Sequence, residues 1–339
     1  MNDDVLLARA AALAGAIEED VAKVVIGQRP AIRLLLIAIL ARGHALLEGG
    51  VGIGKTTVLR AFARAIGGGF ARIEGSIDMM PGDLLYHTFI TEDGSPRVAA
   101  GPLIEHGESL AVFFFNEINR ARPQVQALLL RAMAERSVNA FNRTRRIPHL
   151  LVFADRNRVE KGETFELAAA ARDRFMMEIA IEAPTADEDR ARLIFDPAYH
   201  DVEQLLQLCR EDFIDYRDLE TIGSAIQRCV SASPTLERYA LDLMRATERP
   251  QEYGIRLSGV NVAELVEAGA SPRGMSLMLR AARVHAFLAS RDHLAPQDLQ
   301  AVFKPTMVHR VFFSPLYEFE RQAIAPILID EVLRCIAAP

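Results

Sequence analysis

An α/β fold is what this 339-residue sequence predicts: a parallel five-stranded sheet with β-hairpin inserts, covered by helices on both faces and followed by an all-α domain. Three observations carry that expectation. Short apolar runs alternate with helical patterns as far as about residue 190, and strands that alternate with helices imply a parallel sheet. A glycine-rich turn joins one of those runs to the next helix. Beyond residue 190 the strand signal fades and helical periodicity takes over. The expected domains are therefore 1–190, αβα, and 191–339, helical.

Residues 4–22 carry apolar side chains at helical spacing, and Asp3 or Asp4 can cap the start. Gly27-Gln28 leads into a second apolar helix, 31–41. His44 to Glu48 is a short apolar run ending in glycines, which predicts a buried parallel strand. A helix is expected over 55–66 and a second strand over 70–74. Residues 86–103 break the rhythm, and Asp93-Gly94 between alternating apolar residues predicts a hairpin. A third strand (110–115), a helix (123–136), a second hairpin (137–146), a fourth strand (149–154) and a fifth (176–181) follow. Helices are then expected over 218–230, 235–246, 272–290, 296–311 and 317–336.

Composition narrows the function. Half the residues are hydrophobic and a quarter are charged, the balance of a soluble globular protein. The net charge of −6 argues against an obligate nucleic-acid binder, which presents a basic face. Cys209, Cys229 and Cys335 are odd in number and far apart, so they read as thiols in a reducing compartment rather than a disulfide frame or a zinc site. The start, Met1-Asn2-Asp3-Asp4, has no basic leader region. The greasiest stretch, 34–41, is far shorter than the ~20 apolar residues that span a bilayer. A cytoplasmic protein without membrane insertion is expected.

The chemistry begins at Gly49-Gly50-Val51-Gly52-Ile53-Gly54-Lys55-Thr56, which fits G-x-x-x-x-G-K-[ST] and is continued by Thr57. Such glycines let backbone N–H groups turn in around the phosphates of ATP. Lys55 can reach the β and γ phosphates, and the Thr56 hydroxyl can ligate Mg2+. The helix that starts there adds its positive end. Further on, the run AVFFFNEINR ends in Asn116 and Glu117. Glu117 lies one residue past a buried strand end, where a carboxylate can polarise an attacking water. Asn157, at the end of the adjacent strand, can orient the same water or the γ-phosphate.

Several further segments stand in sequence with these: Asp78-Met79-Met80-Pro81-Gly82-Asp83, Gly101-Pro102, Glu117-Ile118-Asn119-Arg120-Ala121, Ala154-Asp155-Arg156-Asn157, then Glu160, Thr164, Leu167 and Asp173-Arg174-Phe175, and later Ala270-Ser271-Pro272-Arg273 and His309-Arg310. Together with Gly27-Gln28 they resemble the MoxR family of AAA+ ATPases, over nearly the whole chain from Val25 to His309. The resemblance implies a nucleotide domain with a helical lid, and a homo-hexameric ring with ATP sites between subunits. It implies that Arg174 is an arginine finger offered to the neighbouring subunit; Arg172, standing where the family usually has an apolar residue, is a second candidate, and Arg120 is a third residue that can face the neighbour. It places Arg273 where the family has a lid arginine that couples ATP to closure. The two hairpins would be the family's inserts.

The family works with partners carrying a von Willebrand factor A domain and assists metal or cofactor insertion. Residues 105–124 resemble its methylotroph branch, which is tied to maturation of methanol dehydrogenase. That enzyme is the client the resemblance implies.

Asn116 departs from the usual pattern. The residue there is ordinarily an aspartate that holds a Mg2+-bound water. An asparagine can still hydrogen-bond but brings no charge, so ATP binding is expected to survive with slow turnover. Asp155 is a second departure, and one expectation is that it supplies the missing carboxylate. Three function classes compete: a ring ATPase that remodels a protein, a nucleotide-gated scaffold with little hydrolysis, and a nucleic-acid motor, the last weakened by the acidic charge. Arg143, Arg145 and Arg146 form a basic hairpin tip that reads chiefly as a solvated loop. Met79-Met80 and Met176-Met177 read as core.

Overall fold

Apolar runs buried on both faces form the centre of the fold. The computed structural model describes residues 3–156, 165–211 and 213–339. The chain divides into two compact units, a sheet unit of residues 12–174 and 179–219 and a helical unit of residues 1–11, 175–178 and 220–339.

The chain opens with α1 (Asp3–Val24) and α2 (Arg29–Leu40), the latter buried along most of its length. β1 (Ala45–Glu48) is buried at every residue, α3 (Lys55–Ile66) follows the glycine-rich turn, and β2 (Gly69–Glu74) comes next. β3 (Tyr86–Ile90) and β4 (Pro96–Ala100) pair antiparallel as the first hairpin. β5 (Leu110–Asn116) carries three consecutive phenylalanines, Phe113 to Phe115, all with no exposed surface. Both faces of this strand are covered, so its sequence shows an apolar run and no alternation. α4 (Pro123–Glu135) begins with proline at its first turn, where the missing N–H costs nothing. β6 (Ser137–Ala140) and β7 (Arg143–Arg146) form the second hairpin around Phe141 and Asn142, both at positive φ. That two-residue turn matches the twist of the strands, and it sets the Phe141 ring 5.7 Å from Tyr86 on the first hairpin.

β8 (Leu151–Arg156), α5 (Ala169–Arg172), β9 (Met177–Ala180), α6 (Asp187–Phe195) and α7 (Val202–Leu206) complete the series. α7 is tied to α3 by the Arg60–Glu203 ion pair at 2.7 Å. Sheet order is β2-β5-β8-β1-β9. The β2–β5, β5–β8 and β8–β1 ladders are parallel, with Phe115 opposite Ala154 and Leu47 opposite Asp155. β8 runs two residues past the strand expected from the apolar pattern. Its ladder with β1 carries the polar pair Asp155 and Arg156 into the sheet. The carboxyl ends of β5, β8 and β1 are thus level, and ligands of open α/β sheets bind at such ends.

The helical unit contains α8 (Leu219–Cys229), α9 (Pro234–Glu248), α10 (Val262–Leu265), β10 (Val266–Ala268), α11 (Pro272–Leu288), α12 (Pro296–Met307), β11 (Phe312–Phe313) and α13 (Arg321–Cys335). Ser233 and Ser271 cap α9 and α11, each accepting an N–H with its hydroxyl, and each is followed by proline. The region is helical as expected, with one addition: β10 and β11 pair antiparallel. Strands of three and two residues are too short to leave a periodic signal in sequence.

Two buried charged groups inside this unit, Arg310 and Asp298, are matched by polar partners. Arg310 has no exposed surface and donates to the carbonyls of Met176 at 3.1 Å, Phe175 at 2.5 Å and Thr306, while His309 Nε2 lies 3.0 Å from the Phe175 carbonyl. Asp298 is also fully buried. It meets His285 Nδ1 at 2.7 Å, takes a two-pronged contact from Arg291, and accepts the Ala295 N–H at 2.8 Å. Burial pushes this carboxyl up, but the bonds from His285 and Arg291 outweigh it and hold it down to about 2. A carboxyl with a folded value below its unfolded one contributes stability that is complete above pH ~4 and is lost as pH falls toward 2. Asp298→Ala should therefore cost about 3 kcal/mol in urea unfolding at pH 7, followed by far-UV circular dichroism. The difference between variant and native chain should shrink as the pH is lowered from 4 to 2.

Candidate nucleotide site

The turn between β1 and α3 is shaped by its backbone. Gly52 and Gly54 have φ of +74° and +87°, and a Cβ built on either would meet nothing within 4 Å. Conformation, not crowding, demands glycine there. Gly54 is the cap position of the twelve-residue α3, and no side chain caps that end. The first N–H groups of the helix therefore stay available to an anion. From behind, Gln28 braces the loop by donating from Nε2 to the Ile53 carbonyl at 2.8 Å.

Lys55 folds back over this loop. Its Nζ donates to the Gly49 carbonyl at 3.1 Å and forms an ion pair with Asp155 Oδ2 at 2.7 Å. The two side chains are 10% and 1% exposed, so this is a buried pair. The other oxygen of Asp155 accepts the backbone N–H of Glu117. One carboxylate thus joins the phosphate-loop lysine to the end of β5.

Glu117 has φ +54° and ψ +50°, the left-handed region, which costs a non-glycine residue roughly 1–2 kcal/mol. The neighbours hold it there. Gly75 donates its N–H to the Asn116 carbonyl at 2.8 Å. A Cβ on Gly75 would lie 2.3 Å from the Glu117 carbonyl oxygen, so only glycine fits. Gln126, buried on α4, donates to the carbonyls of Ala121 at 2.9 Å and Ile118 at 3.3 Å. The Glu117 carboxylate itself receives Arg120 Nη1 at 2.9 Å.

The fold therefore assembles Gly49, Gly50, Val51, Gly52, Ile53, Gly54, Lys55, Thr56 and Thr57 with Asn116, Glu117 and Asp155 at the carboxyl ends of adjacent strands. Asn157, with Glu160 and Thr164, lies outside the described residues. Arg174 follows α5 and is half-buried, and its Nε has no hydrogen-bond partner among the described residues. Arg172 is buried. Arg273 is the second residue of α11, in the helical unit. Arg120, which the sequence suggested as facing a neighbour, pairs with Glu117 of its own chain. Gly75 and Gln126 carried no motif that marked them. Only the three-residue spacing of Glu117 and Arg120 on a turn hinted at their contact. For Mg2+ the available donors are the Thr56 hydroxyl, the Asn116 amide oxygen and the Asp155 carboxylate. These are hard oxygens, the kind that ion takes.

Residues 44–177 match the ATPase family associated with various cellular activities (AAA), and residues 260–328 match the AAA lid domain. Over 322 residues the chain is 57% identical to Protein MoxR of Methylorubrum extorquens, covering 95% of this chain and 94% of that protein. The chain belongs to the MoxR family of AAA+ ATPases. It is also 32% identical to Chaperone MoxR1 of Mycobacterium tuberculosis, over 94% of this chain and 81% of that one. A crystal structure of a protein assigned as an ATPase from Cytophaga hutchinsonii superposes with a TM-score of 0.81 at 28% identity, covering 99% of this chain and 98% of that chain. MoxR-family membership makes the chain an ATPase. It also accounts for the helical unit, which includes the residues that match the lid.

In this MoxR-family chain the turn at Glu117 combines a left-handed backbone with a glycine packed against its carbonyl. Gly75→Ala should leave the far-UV spectrum intact but push the Glu117 carbonyl aside. ATP turnover should drop about 100-fold, as expected when a reacting group moves by an ångström. A coupled phosphate-release assay on the purified chain measures it.

Proposed function

We propose that this chain binds ATP with Mg2+ on the Gly49–Thr57 loop and hydrolyses it slowly, as one subunit of a homo-hexameric cytoplasmic ring that remodels a client protein. The observation that carries this reading is the convergence of Lys55, Asn116, Glu117 and Asp155 at the ends of three adjacent parallel strands. Backbone N–H groups of the loop and the start of α3 bind the phosphates, and Lys55 exchanges Asp155 for the β and γ oxygens. Thr56 and, through water, Asn116 would hold Mg2+, which would supply charge neutralisation at those oxygens. The Glu117 carboxylate accepts a proton from the attacking water, and Arg120 orients that carboxylate beforehand. Asn157 orients the same water. Arg174 stabilises the transferred group from the neighbouring subunit, in keeping with its unmatched Nε. Arg273 takes the family role of coupling nucleotide state to the lid.

The client reading rests on the resemblance to the methylotroph branch and on the identity with the Methylorubrum protein. It assigns the ring to metal or cofactor insertion into methanol dehydrogenase or its maturation factors, alongside a von Willebrand factor A-domain partner. A second reading has an observation of its own. The neutral side chain of Asn116 favours a nucleotide-gated scaffold whose hydrolysis waits for a partner. Among the described residues no helix is long and apolar enough to cross a membrane, and the acidic net charge disfavours nucleic acid as a client.

Mg2+-dependent ATP hydrolysis by the purified chain, with Glu117→Gln as control, separates the two. The ATPase reading expects measurable turnover that falls by about 100- to 10,000-fold in Glu117→Gln, with nucleotide affinity retained. Tight binding without turnover, and no effect of Glu117→Gln, would establish the scaffold instead.

A further inference from the structure

Position 116 is neutral in a site that needs an anion, and the neighbouring strand holds a buried one. Phe115 pairs with Ala154, so Asn116 and Asp155 each stand one residue beyond a matched pair on adjacent parallel strands. In-register neighbours project to the same face of a sheet. β8 lies between β5 and β1, and Asp155 pairs directly with Leu47 of β1, two residues before the phosphate loop. A carboxylate at 155 is thus one strand spacing, about 4.8 Å, nearer the loop's strand than one at 116.

We propose that the acidic group of this nucleotide site has moved from position 116 to Asp155, which neutralises Lys55 while the loop is free of nucleotide and anchors the hydration shell of Mg2+ once it is filled. The proposal rests on the ATP-site reading above and adds which residue makes binding depend on the metal. In the structure Asp155 has 1% of its surface exposed and pairs with Lys55 Nζ at 2.7 Å. The phosphates of a nucleotide compete for that same ammonium. Once Lys55 turns to them, Asp155 is a buried carboxylate facing an anion, which is strongly unfavourable without a replacement cation. Thr56, next in the chain, offers the hydroxyl that a divalent ion uses. Thr56 and Asp155 would hold a divalent ion whose charge would restore neutrality.

The neutrality of Asn116 follows. A second carboxylate in the adjacent register position would repel Asp155, and like charges opposite one another on paired strands are destabilising. The two departures from the usual pattern are thus one exchange of charge between strands.

Equilibrium binding of a fluorescent ADP to the full chain, with and without Mg2+, tests this apart from turnover. Four proteins are compared: the native chain, Asp155→Asn, Asn116→Asp, and the double exchange. The native chain should bind about tenfold more tightly with Mg2+, a typical linkage between two ligands. Asp155→Asn should bind more tightly than native without Mg2+, because Lys55 is freed, and should lose most of the Mg2+ gain. The double exchange should recover that gain, whereas Asn116→Asp alone, with Asp155 intact, should not increase it. A Mg2+ gain unchanged in Asp155→Asn, or enlarged by Asn116→Asp alone, overturns the proposal. Absence of ADP binding by the native chain would instead remove the nucleotide-site reading, and the proposal with it. The Asn116→Asp arm leaves the buried pair in place, so the test does not depend on Asp155→Asn folding well.

Discussion

The buried carboxylate of Asp155 is the contact through which the parts of the site communicate. Its two oxygens address two different chain segments, Lys55 on the phosphate loop and the Glu117 N–H at the end of β5. Each of these would be costly alone. An ammonium and a carboxylate taken out of water each lose several kcal/mol of hydration unless they find each other. A backbone N–H in a left-handed turn has no ladder to donate to. Meeting at one side chain, these groups satisfy one another, and the loop, the central strand and the Glu117 turn become a single electrostatic unit.

Strand order makes the meeting possible. With β8 between β5 and β1, a residue at the end of β8 touches both the segment that leads into the phosphate loop and the segment that carries Glu117. The outer parts of the sheet then support this centre. Gly75, just past β2, leaves room for the Glu117 carbonyl, and Gln126 on α4 takes the carbonyls that follow it. The result is a backbone held in a sparsely populated conformation by surrounding packing, as is common where geometry serves chemistry.

The helical unit solves a similar problem by other means. Asp298, Thr306, His309 and Arg310 are all fully buried. The Asp298 carboxylate is matched by His285 and Arg291, and the Arg310 guanidinium by backbone carbonyls, so these two buried charges are both compensated. Such an arrangement ties the stability of the unit to the ionisation of one carboxylate.

Much of this molecule was legible in residue order alone. The apolar runs of β1 and β5, the helix over 55–66, both hairpins and the proline-led helix starts depend on local periodicity and backbone preference, which act over a few residues. The phosphate loop was equally plain, because its chemistry lies within one turn. Other features needed the folded chain. Asp155 is a hundred residues from Lys55, and its buried pairing comes from the position of β8 between two strands that are distant in sequence. The left-handed turn at Glu117 and the role of Gly75 depend on close approach between strands, which leaves no mark in either segment by itself. The short β10–β11 pair is decided by where two loops come to lie. Local preference sets what each segment can be, and long-range pairing of buried charge and backbone decides which side chains share a site.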